Sequence, residues 1–276
     1  MKICQTVHQI RIDFYVMPEI RRYVYVYLIE GKDCYLIDAG TAGCETVIER
    51  CLNQLGRQLS DIKAVFLTHA HPDHIGGAAV LKRLTGCRIY ASEAEHPWIE
   101  DIDVQFRARP IPNFYALAGE SVPVDAVVGQ GDTIALEKGI TLSVMETPGH
   151  SLGSVSYVYP EQGVLFCGDA VPAADDLPIL VDWEQSRQSV RTIREHEALR
   201  FYCPAWDRVY AGAEIVREAQ RALDLLDRLN GCAKQSGLTR DTLTQKALMQ
   251  MAQQLGQNPA ACSPLFRTSV EACLRE

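Results

Sequence analysis

The chain has 276 residues, 47% apolar and 22% charged, with a formal net charge of −8. That composition belongs to an ordinary globular protein with ample length for a sizeable core, as one large domain or one domain with an appendage. The acidic balance, with no basic run long enough to form a stripe, argues against nucleic acid and anionic membrane surfaces as general partners.

The N-terminal MKICQTVHQIRIDFYV has no apolar core of signal-peptide length. No stretch approaches the roughly 20 apolar residues of a spanning helix, so a cytoplasmic protein is expected. YVYVYLIEGKDCYLIDAG then predicts a hairpin, Tyr23 to Ile29 and Cys34 to Ile37 around a Gly-containing turn, closed by a loop after Asp38. ETVIERCLNQLG predicts a helix ending at Gly56, IKAVFLT a buried strand, IGGAAVLKRLTG a helix running to Gly86, and CRIYAS the next strand. The first third therefore follows a β-α-β-α-β rhythm. Residues 93–125 break it with four prolines and mixed charge, which suits a long loop or short helices over a cleft.

Strands resume at DTIALEKGITLSVMET, with a turn at Glu137 to Gly139, and at GSVSYVYPEQGVLFCGD. From Glu214 the pattern is helical, with Val216, Ala219, Leu223, Leu226 and Leu229 on one face. A second helix is expected from near Thr239, carrying Leu243, Ala247, Met251 and Leu255, before QNPAACSP interrupts and a last short helix follows. Residues 1–230 are read as the main domain and 231–276 as a helical appendage, able to pack as part of the same domain. Apolar positions on these helices would equally permit a homodimer. The ten cysteines stand singly without a CxxC pair, and the expectation is small buried hydrophobes rather than disulfides or a zinc cluster.

The segment that carries chemistry is THAHPDH, directly after a predicted strand. His69, His71, Asp73 and His74 are three imidazoles and a carboxylate within six residues, costly to place together without a cation. Asp73 alone could be a helix N-cap, but a polar turn does not account for the four together. TPGHS sets His150 in a turn after a strand, and GDA sets Asp169 after an apolar strand. Each is weak by itself, and each lies where a strand gives way to a loop and can face a common rim.

In this order, and with LIDAG upstream, these motifs resemble the metallo-β-lactamase superfamily over roughly residues 20–212. The resemblance implies an α/β fold, a four-layer αββα sandwich with extra C-terminal helices here. It implies two divalent metal ions, zinc first, with iron or manganese as alternatives. His69, His71 and His150 would hold the first metal, and Asp73 and His74 the second, with Asp169 bridging. Asp38 would buttress the ligands, although an Asp before a turn is an equally simple account of it.

One departure stands out. The superfamily commonly supplies a further histidine to the second metal after a late strand, where this chain reads FYCPAWDRVYAGAE and has no histidine beyond His196. Asp207 could replace it as an oxygen ligand; the second site could be completed by water; or one metal could suffice. Asp207 beside Arg208 could also be a surface ion pair.

The chemistry implied is hydrolysis by metal-bound hydroxide, since a divalent metal lowers the pKa of coordinated water to about 7. Asp73 would act as the catalytic proton shuttle. The substrate expected is a small molecule with an ester-like bond, a thioester as in the glyoxalase II-like branch, or a lactone. A mononuclear iron site of His69, His150 and Asp169, resembling persulfide dioxygenases, and a non-catalytic sensor are the rival readings. Trp98, Phe114, Tyr115, Trp183 and Trp206 are candidate wall residues and Arg107 or Arg109 candidate anion contacts, with ordinary packing or solvation the simpler account of each.

Overall fold

The computed structural model describes residues 1–196 and 198–275. Its first sheet holds β1 (Val7–Met17), β2 (Ile20–Glu30), β3 (Cys34–Ile37), β4 (Ile62–Phe66), β5 (Arg88–Ser92) and β6 (Ala126–Val128) in sequential order. The β1 to β3 neighbours are antiparallel and the β3 to β6 neighbours parallel. The parallel crossovers run through α1 (Glu45–Gln54), then α2 (Pro72–Ile75) with α3 (Ala78–Thr85), then the short helices α4 (His96–Glu100), α5 (Ile102–Ala108) and α6 (Phe114–Ala118).

The second sheet runs β7 (Thr133–Glu137), β8 (Ile140–Glu146), β9 (Val155–Tyr159), β10 (Val164–Gly168), β11 (Phe201–Pro204) and β12 (Tyr210–Ala211), again in sequential order. The connection from β10 to its parallel neighbour β11 passes through α7 (Trp183–Arg194). The helices α8 (Ala213–Gln235), α9 (Gln245–Gln254) and α10 (Pro264–Cys273) follow.

Three apolar layers separate these elements, and strand periodicity sorts residues among them. Along β4, Ile62, Val65 and Leu67 belong to the core under α1 and α3, while Ala64 and Phe66 face the second sheet. Along β10, Val164 and Phe166 face the first sheet, and Leu165 and Cys167 face α7 and α8. Strands covered on both faces explain why these runs are continuously apolar rather than alternating. The result is the αββα sandwich with additional C-terminal helices.

Four differences from the sequence reading have physical causes. The first strand, β1, was not foreseen; its polar His8 and Gln9 interrupt the apolar run, and they are buried because Glu30 and Tyr27 partner them. On α8 the buried stripe is Ile215, Ala219, Ala222, Leu226 and Leu229, whereas Val216 is exposed, one step around the helix from that stripe. The next helix starts at Gln245 rather than near Thr239, because the Thr244 hydroxyl accepts from the Ala247 amide and caps it. The boundary read between 230 and 231 falls inside α8, while Leu248, Met251, Phe266 and Val270 share one core with Leu226 and Leu229, the packing within the same domain that the sequence reading allowed. All ten cysteines are free.

Candidate metal centre

The centre forms where strands of both sheets end at one edge. Beyond β4 the chain turns through Thr68 to His71, and Pro72 at the first helical position of α2 fixes the entry, with His71 as N-cap rather than Asp73. The Val155 amide donates to the Thr68 carbonyl at 2.9 Å, tying this loop to the second sheet. Gly168 at the end of β10 has φ +49, and a Cβ there would lie 2.4 Å from Thr68 Oγ1, so only glycine lets the Asp169 loop approach so closely. Gly149 has φ +128 with the Ser186 amide nitrogen 2.2 Å from where its Cβ would be, which seats the His150 turn on α7.

These loops bring His69, His71 and His150 together, one ligand atom from each lying within 4.8 Å of the others, and likewise His69, His74 and Asp169. All four histidines are buried. Their outer contacts determine which ring nitrogen is free. Asp38 accepts from the Thr68 amide at 2.8 Å and from Thr68 Oγ1 at 2.9 Å. With its only proton spent on Asp38, Thr68 Oγ1 must accept from His69 Nδ1 at 3.1 Å, leaving the lone pair of His69 on Nε2. His74 Nδ1 donates to Asp38 Oδ2 at 2.8 Å and His150 Nδ1 to the Ile179 carbonyl at 2.8 Å, so both Nε2 lone pairs also point inward. His71 Nδ1 stands 2.8 Å from His150 Nε2, two ring nitrogens that a shared cation would satisfy together.

His69 Nε2, His74 Nε2 and Asp169 Oδ1 are buried with no hydrogen-bond partner. Buried polar atoms are ordinarily paired, and three orphaned ligand atoms facing one another fit a divalent metal. Burial, together with neighbouring imidazoles and Arg109, pushes His69 and His71 well below the usual imidazole range, and burial lowers His150 as well. These three rings are therefore neutral, as ligands must be. Burial also opposes charge on His74, but Asp169, Asp38 and Asp73 outweigh it and raise His74 well above its ordinary value. Three carboxylates around one ring call for a cation, and a proton is its substitute.

Asp169 lies between the two groups, with Oδ2 3.3 Å from His150 Nε2 and Oδ1 3.4 Å from His74 Nε2. Asp73 Oδ2 is 3.7 Å from His74 Nε2, and burial raises this carboxyl, with Asp169 acting in the same sense against the pull of His74. Asp38 satisfies both sequence readings, since it sits in the left-handed region at φ 61 and holds His74.

Asp207 is not in the centre. Its carboxylate accepts from the Arg208 amide at 2.7 Å and from the Tyr210 hydroxyl, and its side chain is exposed. At φ 71 it forms the turn that carries the chain into β12, a structural role open to Asp in the left-handed region. The neighbour, Trp206, reaches the site instead, donating from Nε1 to Asp169 Oδ2 at 3.0 Å. Its ring lies 6.3 Å from Phe14 and 5.9 Å from Tyr23.

The other proposed wall residues serve packing. Trp98 and Phe114 join the core under the first sheet, Tyr115 bonds Asp103 on the surface, and Trp183 donates to the Leu226 carbonyl of α8 at 2.8 Å. Arg107 is exposed, whereas burial pushes Arg109 down to about 10 against the attraction of Asp73, Asp169 and Glu95. Sequence reasoning missed Thr68 and Glu95. Buried Glu95 accepts from the Ala70 amide at 2.8 Å, Ser151 Oγ at 2.7 Å and the Gly153 amide at 2.8 Å, clamping the His69 loop to the His150 loop. Glu95 sits in the irregular 93–125 stretch with no local pattern to mark it.

A sequence profile of the metallo-β-lactamase superfamily matches residues 20–206. The chain is 37% identical over 136 residues to a hydroxyacylglutathione hydrolase of Nitrobacter winogradskyi, covering 49% of this chain and 42% of that protein. It is 32% identical over 150 residues to one from Synechococcus, covering 53% and 48%. The match thus spans somewhat less than half the length of these relatives. A metallo-β-lactamase family protein of Thermus thermophilus superposes with a TM-score of 0.74 at 19% identity, covering 97% of this chain and 90% of that one. A subclass B3 metallo-β-lactamase of Bradyrhizobium japonicum gives 0.61 at 24% identity, covering 82% and 95%. At those identities the structural likeness speaks to the fold. With the profile covering most of the chain and the histidines gathered at the edge of the paired sheets, the protein belongs to the metallo-β-lactamase superfamily.

Proposed function

We propose that the chain is a metal-dependent hydrolase of small-molecule thioesters. The convergence of His69 Nε2, His74 Nε2 and Asp169 Oδ1 as unpartnered buried atoms carries the reading. His69, His71, His150 and Asp169 would hold the first divalent metal, zinc by preference for this donor set, and His74, Asp73 and Asp169 the second. When bound, such a metal polarises a carbonyl and lowers the pKa of coordinated water to about 7.

The chain's own residues supply the remainder. Asp38 and Thr68 hold the tautomers of His74 and His69, so both present lone pairs without rearrangement. Asp73, whose carboxyl burial raises, would take the proton released by the attacking water on the carboxylate oxygen that does not serve as a ligand and deliver it to the departing thiolate. Arg109 gives the site a positive group to meet a carboxylate on the substrate. The names of the relatives support a thioester, as hydroxyacylglutathione hydrolases, and ten free thiols accord with a reducing, cytoplasmic compartment. Among the described residues no helix is long and apolar enough to cross a membrane.

The test assays chelator-treated protein, and the same protein reloaded with zinc, manganese or iron, on S-lactoylglutathione and on an acyl homoserine lactone. Thioester turnover restored by metal and abolished in His69→Ala is expected. Folded, metal-loaded protein inert to the thioester overturns the reading; lactone turnover, or oxygen uptake with glutathione persulfide by the iron form, would replace it.

A further inference from the structure

We infer that Ser269, on the C-terminal helix α10, is a positioning residue for His150: it holds one peptide group whose other end fixes the tautomer of that ring. The inference rests on reading the cluster as a metal centre. His150 Nδ1 donates to the Ile179 carbonyl at 2.8 Å, and the Leu180 amide donates to Ser269 Oγ at 3.0 Å. That carbonyl and that amide belong to the same peptide unit, which is planar and points them in opposite directions. Holding the amide therefore aims the carbonyl. Were the unit to turn over, its N–H would face Nδ1, which would have to accept, and the ring proton would move to Nε2, the atom meant for metal. The chain of bonds continues through the Ser269 hydroxyl, which donates to the Leu265 carbonyl at 3.1 Å. Such a chain polarises each member, so the Ile179 carbonyl draws more strongly on the ring proton and makes Nε2 the better donor to a metal.

Ser269 is a costly residue for its position. The buried face of α10 is otherwise Phe266, Val270, Ala272 and Cys273, and both Ser269 and Leu180 are 0% exposed. A hydroxyl in such a face needs partners to offset its lost hydration, and its bond back to the Leu265 carbonyl adds nothing to the helix. What the hydroxyl supplies beyond an alanine is an acceptor for Leu180.

The segment between β10 and α7 that carries Ile179 is held against the C-terminal helices along its length. Gln257 Nε2 donates to the Ala174 carbonyl at 2.9 Å, and Leu177 and Leu180 join the core of Phe266 and Val270. At its far end the Val181 amide donates to the Gly149 carbonyl at 2.7 Å, next to His150. The helices beyond α8 thus brace a ligand loop, which gives them a part in the centre although they contribute no ligand.

The experiment uses metal-free full-length protein with isotopically labelled histidine nitrogens, reading the His150 tautomer by long-range proton–nitrogen correlation and zinc affinity by competition with a chromogenic chelator. Wild type is expected to carry the His150 proton on Nδ1. Ser269→Ala is expected to give a mixture with the Nε2–H form and to bind zinc about 10-fold more weakly. Val270→Ala removes apolar bulk from the same helix without touching the hydroxyl, and should lose stability while keeping tautomer and affinity. A proton on Nε2 in wild type, S269A matching wild type in both readouts, or V270A weakening zinc as much as S269A overturns the inference. Should S269A fail to fold, Ser269→Cys, a poorer acceptor of similar volume, is expected to shift both readouts less but in the same direction, and no shift overturns the inference. Absence of zinc binding in every chain with the tautomer shift intact would overturn only the metal reading, and thioester turnover with equal zinc affinity and tautomer in wild type and S269A only this one.

Discussion

Replacing Asp38 by Asn tests whether tautomer control behind the ligands governs metal binding. Asn tolerates the left-handed backbone at φ 61 and keeps the volume, so the change acts through charge and hydrogen-bond direction. The carboxylate accepts from the Thr68 amide at 2.8 Å, from Thr68 Oγ1 at 2.9 Å and from His74 Nδ1 at 2.8 Å. An amide has one accepting end. If its oxygen keeps Thr68, its NH2 faces His74 Nδ1, which must then accept, and the ring proton moves to Nε2, the atom meant for metal. If the oxygen instead keeps His74, the NH2 opposes the Thr68 donors. Either arrangement should weaken zinc binding by about 10–100-fold, about 1.4–2.8 kcal/mol. Stability should fall by about 1.5–3 kcal/mol with the lost charged hydrogen bond. Competition against a chromogenic chelator gives the first quantity and denaturant unfolding of the metal-free protein the second. Unchanged zinc affinity in folded D38N would refute the argument that Asp38 sets the His74 tautomer.

Other outcomes follow from the same geometry. Asp207→Ala should leave zinc content unchanged by mass spectrometry, while costing about 0.5–1.5 kcal/mol in urea unfolding as the turn loses its hydrogen bonds. Gly168→Ala should destabilise by about 1–3 kcal/mol and weaken metal binding, because the added methyl would displace Thr68. Phe266→Ala should cost about 3–5 kcal/mol within a single calorimetric transition, since Phe266 shares one core with α8; a separate early transition would show that α9 and α10 unfold alone. Burial pushes the thiol of Cys34 up to about 11 and those of Cys44 and Cys273 up to about 12, so alkylation of native protein at mildly alkaline pH should spare them, as peptide mass spectrometry would show.

Much of this protein could be read along the chain. Ligand groups packed as densely as THAHPDH are improbable without a cation, and the apolar runs at β4, β9 and β10 mark strands covered on both faces. Short-range pattern carries such information because ligand spacing and strand period are local properties. The strand β1 was less visible, because its buried polar residues are tolerated only through partners on β2 and its loops. Glu95 and Thr68 could not be picked out either, since their importance is a set of hydrogen bonds to residues distant in the chain.

The question raised by FYCPAWDRVYAGAE was decided the same way. Residue types allowed Asp207 as a ligand, and they could not show that the left-handed turn at Asp207 sends its carboxylate to Arg208 and Tyr210 while Trp206 meets Asp169. Which of two adjacent side chains faces a metal centre depends on one backbone dihedral and on the β1–β2 hairpin that pins it. That hairpin lies about two-thirds of the chain away in sequence, so the outcome belongs to the packed fold, where contacts rather than spacing choose the direction of a side chain.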